Sequence, residues 1–265
     1  FHAAAYKHVP IMEEQPWEAV YNNIIGTKYI LDTTIKEKCE KFVLVSTDKA
    51  VRPTNVMGAT KRITEKYCIQ KNQNANGTKV MAVRFGNVVG SAGSVIPLFK
   101  KQIVYGGPVT VTHPSVIRYF MTISEACQLI LQAGAIGERG GIYILKMGKP
   151  VKILDMARDL IRLSGFEPDK DIKIKFTGLR PGEKLFEELI TTGEGIVPTE
   201  HEKLMVLRPD ECKQDASGIK TTTDLNKAII ELAALGNNYD KVGIKKKIKE
   251  LVPEYLPYSS KEDNL

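Results

Sequence analysis

The chain has 265 residues, 43% hydrophobic and 26% charged, enough to bury the core of one large α/β domain or two small ones. Its net charge of +7 is modest for this length and leaves anionic small molecules, an acidic membrane surface and nucleic acid all open as partners. Four scattered cysteines, with no C-x-x-C spacing and no histidine cluster, argue against a disulfide framework and a zinc site and fit a reducing, cytoplasmic setting. There is no signal peptide and no apolar run of about 18 residues, the length that spans a bilayer.

In chain order, Pro16 is a good first-turn residue and opens a predicted helix that carries Val20, Tyr21, Ile24 and Leu31 inward. Phe42 to Val45 reads as a buried strand, Val56 to Gln73 as a helix and Lys79 to Arg84 as another strand. Such alternation predicts a parallel sheet. From Phe85 the texture changes, and Gly86, Gly90, Gly93, Gly106 and Gly107 mark long loops of the kind from which a substrate lobe grows. The strand Ile142 to Leu145, the helix Ile153 to Ser164, the strand Ile172 to Phe176 and a helix Glu183 to Ile190 are expected to build a smaller α/β cap. In the basic stretch Lys241 to Lys249, Ile244, Ile248 and Leu251 recur at helical spacing and no aromatic residue interrupts the charges. A solvated amphipathic helix is expected there, not a nucleic-acid surface. The tail after about Glu250, with two prolines and a polar end, is expected to fray.

The most informative run is Leu44-Val-Ser-Thr-Asp-Lys49 followed by Met57-Gly-Ala-Thr-Lys61. A buried strand delivers a hydroxyl, a carboxylate and an amine to the mouth of the sheet, where open α/β folds do chemistry. Met57 and Lys61, four apart on a helix, share the face that looks back toward that strand end. Taken alone, Thr47 and Asp48 also suit a turn and helix cap, Lys61 a surface lysine and Met57 a packing residue.

This arrangement resembles the extended short-chain dehydrogenase/reductases, with Lys61 in place and Met57 where their tyrosine stands. The triplet Thr47-Asp48-Lys49, the N-terminal Phe1-His-Ala-Ala-Ala-Tyr-Lys-His-Val-Pro10 and Gly178-Leu-Arg-Pro-Gly-Glu-Lys184 together are similar to the nucleotide-sugar 4,6-dehydratases of polysaccharide and glycan biosynthesis. Within them, the methionine version is similar to the large, membrane-anchored UDP-N-acetylglucosamine 4,6-dehydratases. The likeness runs from Phe1 to about Leu235.

That resemblance implies an incomplete doubly wound Rossmann-type parallel sheet with a smaller α/β substrate-binding cap. Residues 1–90 are expected to form the C-terminal half of a dinucleotide-binding domain, 91–250 mainly the substrate lobe with some elements returning to the sheet, and 251–265 a tail. The family's glycine-rich first βα turn does not occur in this sequence. The chain is therefore expected to be the C-terminal part of a longer protein, cytoplasmic and held to the inner membrane only through a preceding anchor.

The implied reaction oxidises C4 of the sugar, eliminates water across C5 and C6, and returns the hydride to C6, with NADP or NAD recycled. Thr47 is assigned to the C4 hydroxyl, Asp48 to the acid for the C6 hydroxyl, Lys49 to the base at C5, and Lys61 to the nicotinamide ribose and the developing C4 alkoxide. Met57 fills the tyrosine's space, leaving the acceptor of the C4 proton open. Ala3, Ala4 and Lys7 are expected to touch cofactor, and Asn23 to lock the strands near it. Asn87, Arg118 and Arg180 are expected on the diphosphate and Glu183 on ribose hydroxyls, with Ser94 to Phe99 on the uracil side. The implied partner is a UDP-sugar, within a homo-oligomer, with no metal and no nucleic acid. A UDP-sugar 4-epimerase, and a nucleotide-sensing protein that kept the fold without catalysis, are the alternatives.

Overall fold

The computed structural model describes residues 1–72, 74–137, 141–190, 195–207 and 222–257. The first third forms α1 (Val9–Glu14), α2 (Pro16–Ala19), a π-helical turn (Val20–Ile25), α3 (Gly26–Lys36), β1 (Lys41–Val45), a 3₁₀ turn (Asp48–Ala50), α4 (Val56–Asn72) and β2 (Lys79–Arg84). Next come β3 (Asn87–Val88), α5 (Val95–Val104), β4 (Val109–Val111), β5 (Ile117–Arg118), β6 (Phe120–Met121), α6 (Ile123–Ile136) and β7 (Ile142–Leu145). The rest is β8 (Val151–Lys152), α7 (Ile153–Leu163), β9 (Ile174–Phe176), β10 (Ile196–Pro198), β11 (Leu204–Leu207), α8 (Thr222–Asn237) and α9 (Lys241–Leu251).

The central sheet runs in the order β1-β2-β7-β11-β10. β1, β2 and β7 run parallel, β11 is antiparallel to β7, and β10 is antiparallel to β11. Beyond β1, His2 adds a parallel bridge, its N–H donating to Val43 O at 2.9 Å and its carbonyl accepting from Val45 N at 3.0 Å. The segment at His2 thus holds the place of a preceding strand, as the sequence implies.

Strand residues alternate between two apolar layers, which is why each strand reads as an unbroken apolar run. Phe42, Leu44, Val80, Ala82, Ile142 and Ile144 pack with Ile24, Leu31, Ile63, Ile229 and Ile248 of the helices on one face. Val43, Met81, Val83, Tyr143 and Leu145 pack with Ala126, Leu129 and Ala133 of α6 on the other. A third core joins α5, α7 and the β4–β9 pair through Phe99, Ile103, Val109, Val111, Ala157 and Ile161. This is the separate lobe.

Four expectations need correction. Ile142–Leu145 belongs to the central sheet, paired with β2 and β11, and not to the cap. Residues 183–190 form no helix, because Ile117 N donates to Leu185 O at 3.0 Å and Phe186 bridges Ile117, so tertiary pairing draws the segment along β5. Helical structure begins at Val9, ahead of Pro16, with a break at Gln15. Residues 252–257 of the tail are packed, with Val252 and Tyr255 fully buried and Leu256 N donating to Pro53 O at 2.9 Å, and the rest of it, 258–265, lies outside the described residues. Helix α9 is as expected, with Ile244, Ile248 and Leu251 buried under its charged face.

Candidate active site

Strands β1, β2 and β7 end on one side of the sheet, and a cavity of about 510 Å³ opens there against the lobe. Thr47 and Lys49 reach it from the turn after β1, Met57 and Lys61 from α4, Asn87 from β3 and Arg118 from β5. Arg180 and Glu183 line it from the Arg-Pro-Gly-Glu loop, and Ala3 and Lys7 from the N-terminal segment. Ser94, Val95, Leu98 and Phe99, around the start of α5, complete one wall.

Three expected residues lie off the wall. Ala4 is exposed, and its neighbour Ala5 lines the cavity with Ala3 instead. Asn23 is fully buried in the π-helical turn. Its Oδ1 accepts from Tyr6 N at 2.8 Å, while its Nδ2 donates to Tyr6 O at 3.0 Å and Thr60 Oγ1 at 3.1 Å. Asn23 therefore fastens the N-terminal segment to α4 without facing the cavity. Asp48 is fully buried just behind the wall, beneath Thr47 and Lys49.

The turn after β1 is built by its own side chains. Thr47 caps it, accepting from Lys49 N at 3.4 Å and donating to Asp48 Oδ1 at 2.9 Å. Asp48 N donates to Phe85 O at 3.0 Å, which ties the turn to the end of β2. Helix α4 packs so closely on this turn that a Cβ at Gly58 would lie 2.1 Å from Lys49 O. Only glycine permits that approach.

Lys49 Nζ donates to Asp48 Oδ1 at 3.0 Å and Asn87 Oδ1 at 3.4 Å. Burial alone would drive Lys49 toward neutrality, but Asp48 and then Glu187 outweigh it and raise its pKa above the ordinary lysine value. Lys61 differs. Only 4% exposed, it is lowered by burial from 10.5 to about 8, with Glu65 opposing. Beneath it, Glu65 and Arg84 form a fully buried pair at 2.7 and 2.8 Å, and Ser46 Oγ donates to Glu65 at 2.7 Å.

The wall nearest the 183–187 loop is organised by Arg118. Its two terminal nitrogens donate to Ile117 O, Leu185 O and Lys184 O at 2.8 to 3.1 Å and to Glu183 at 3.4 Å, so in this structure it braces the 183–187 loop. Glu183 also accepts from Thr112 Oγ1 at 3.0 Å and Arg180 N at 3.1 Å. The exposed Arg180 side chain stays at the cavity mouth. Thr54 Oγ1 and Asn55 Nδ2 donate to Gly182 O at 2.8 and 3.1 Å. At Gly182, φ is +73° and a Cβ would sit 2.7 Å from that of Asn55, so glycine is required there too.

Glu187 escapes a reading from sequence. A helix over 183–190 makes it one more charged residue, whereas the loop buries it on the cavity wall and leaves Glu188 outside with Arg52. Among the described residues no cluster of His, Cys, Asp or Glu could hold a metal, and no helix is long and apolar enough to cross a membrane. His2 pairs with Thr27 Oγ1 at 2.9 Å. Cys39, Cys68 and Cys127 are free thiols, and Cys212 lies outside the described residues.

The chain is 54% identical over 241 residues to the capsular polysaccharide biosynthesis protein CapD of Staphylococcus aureus, covering 91% of this chain and 38% of that protein. It is 41% identical over 194 residues to a UDP-glucose 4-epimerase of Rickettsia canadensis, covering 72% of this chain and 55% of that one. Among solved structures it is similar to Pen from Bacillus thuringiensis, with a TM-score of 0.73 and 34% identity over 87% of this chain and 74% of that chain. Residues 1–209 match the family described as polysaccharide biosynthesis protein, and the chain belongs to that family.

Proposed function

We propose that this chain is the catalytic segment of a nucleotide-sugar 4,6-dehydratase that converts UDP-N-acetylglucosamine to a UDP-4-keto-6-deoxy-N-acetylhexosamine. The observation that carries this reading is the meeting of Thr47, Lys49, Met57 and Lys61 on one cavity wall, with Asp48 hydrogen-bonded directly behind. A dinucleotide fits the residues present: the short side chains of Ala3 and Ala5 leave room along the wall, and buried Lys61 offers an ammonium beneath them. When bound, NAD or NADP supplies the hydride acceptor and donor.

The chain's own residues handle the protons. Thr47 Oγ1 already donates to Asp48 Oδ1, so a proton leaving the C4 hydroxyl passes through Thr47 to Asp48. This gives the C4 proton an acceptor where Met57, a thioether, offers none. Asp48, now an acid, returns the proton along the same hydrogen bond to the departing C6 hydroxyl, while Lys49 takes the C5 proton. Lys61 places positive charge by the developing alkoxide. Arg180 holds the diphosphate at the cavity mouth, with Asn87 and Arg118 alongside and Glu183 on the ribose.

In the full-length protein, Lys49→Ala and Asp48→Asn are expected to lower turnover by about 10²- to 10⁴-fold while nucleotide-sugar binding stays nearly intact. Mass spectrometry for loss of water from UDP-N-acetylglucosamine checks this, and full activity in either variant overturns the assignment. Arg180→Lys is expected to raise KM for the UDP-sugar, since one ammonium cannot reproduce a guanidinium fork. An unchanged KM would place the diphosphate elsewhere. The relative named UDP-glucose 4-epimerase favours a second reading, a 4-epimerase on the same pocket. Epimerisation needs no Asp–Lys pair and releases no water, so the same assay separates the two.

A further inference from the structure

We propose that Glu187 is a further acid–base residue of this site, the group that takes the proton from Lys49 so that its amine can act as a base. The inference rests on the dehydratase reading. Lysine abstracts a proton only as the free amine, yet Lys49 is held as an ammonium by its 3.0 Å contact with Asp48. Asp48 is already committed: its Oδ1 accepts from Thr47 and Lys49, and its carboxyl, whose Oδ2 is likewise buried without a hydrogen-bond partner among the described residues, carries the proton moving from O4 to O6. A separate acceptor is required.

Two other carboxylates line the cavity. Glu183 is fully engaged, with Oε1 accepting from Thr112 and Arg118 and Oε2 from Arg180 N. Glu187 is different: its side chain is 4% exposed, its Oε1 lies 3.8 Å from Arg118, and its Oε2 is buried with no hydrogen-bond partner among the described residues. A buried carboxylate oxygen left without a donor is costly and calls for a functional explanation. Electrostatically, Glu187 faces Lys49, Asp48, Arg118 and Lys184. Burial raises its proton affinity while Lys49 opposes, and Glu187 in turn helps to hold the proton on Lys49. The two groups share the cavity wall without an ion pair within 4.0 Å, so the exchange between them is relayed across the cavity and not made through a direct contact.

The protons balance. An Nζ–H bond of Lys49 breaks and an Oε2–H bond of Glu187 forms, giving a neutral amine beside a neutral carboxylic acid. The amine takes the C5 proton, and the electron pair of the C–H bond enters the C4 carbonyl as the enolate. The C6–O bond then breaks, with water leaving on the proton that came from O4 by way of Asp48. After hydride returns to C6, Lys49 gives its proton back to C5. Glu187 then returns the stored proton to Lys49, its Oε2–H bond breaking as an Nζ–H bond forms, which restores the ammonium and the carboxylate for the next turnover.

The test is Glu187→Gln, which keeps shape and removes proton exchange, in the full-length protein. Turnover at neutral pH is expected to fall by about 10²- to 10³-fold with KM little changed, the acidic limb of the pH–rate profile is expected to move to higher pH, where Lys49 loses its proton unaided, and Glu187→Asp is expected to recover part of the rate. A variant with unaltered kcat, or with its loss wholly in KM, overturns the proposal. A second arm needs no activity. Difference infrared spectra of the intact protein against Glu187→Gln report the carboxylic-acid band of Glu187, and in Lys49→Met that band should persist to higher pH because the ammonium favouring the carboxylate is gone. A band that titrates identically with and without Lys49 refutes the exchange even if the protein proves to be no dehydratase.

Discussion

Arg84→Leu is expected to destabilise the chain by about 3–5 kcal/mol, the usual consequence of leaving one member of a buried ion pair behind. Both side chains of the Arg84–Glu65 pair are fully buried, and Glu65 keeps, among the described residues, the Ser46 hydroxyl at 2.7 Å and Arg62 at 3.3 Å once Arg84 is gone. Burial works against the Glu65 carboxylate, but Arg84 outweighs it and holds the pKa below the ordinary 4.5. The unfolded chain therefore binds more protons just above the folded pKa. The stabilisation is present above about pH 4.5 and is lost as pH falls through the folded value. Denaturant unfolding at neutral and acid pH measures this. The double variant Glu65→Leu/Arg84→Leu should lie much closer to wild type than the single one. A loss under about 1 kcal/mol for Arg84→Leu at neutral pH would mean that Arg62 compensates.

Lys61→Met is expected to act in the opposite direction and stabilise the fold at pH 7. Lowering a lysine from 10.5 to about 8 corresponds to roughly 3 kcal/mol of unfavourable burial of the charged form. For a chain of this size that is about 6–12 °C in Tm. The unfolded chain binds this proton with the ordinary pKa and the folded chain with the lowered one, so wild-type stability rises as pH climbs from about 8 to 10.5. The advantage of Lys61→Met is therefore full below pH 8 and fades across that window, which thermal scans at pH 7 and pH 10 will show. Turnover is expected to be lost in the same variant. A residue that weakens the fold and is needed for reaction is kept for its chemistry.

Much of the sheet was legible because strands buried on both faces write themselves as continuous apolar runs, as Phe42 to Val45 and Lys79 to Arg84 do. A four-residue run such as Ile142–Leu145 does not say which sheet it joins, since that depends on pairing with Ala82–Arg84 far away in sequence. The stretch Glu183-Lys-Leu-Phe-Glu-Glu-Leu189 has good helix formers, and Arg118 overrides them by taking the carbonyls of Lys184 and Leu185. That misreading hid Glu187. The reactive cluster was legible as a spacing, Thr47 to Lys49 and Met57 to Lys61, but spacing could not tell that Asp48 sits behind the wall or that Asn23 grips Tyr6. Tyr255 looked like a loose end because its burial rests on a distant contact between Leu256 and Pro53.

The loop that presents Arg180 is bolted to Thr54 and Asn55, at the head of the helix that carries Met57 and Lys61. Glu13 accepts from Val56 N at 2.6 Å and steadies the same helix start. On the function proposed above, the anchor for the diphosphate and the charge for the reacting sugar therefore hang from one helix. On that reading the site gauges ligand length, and a sugar monophosphate, one phosphate shorter, is expected to engage one end and leave the other empty.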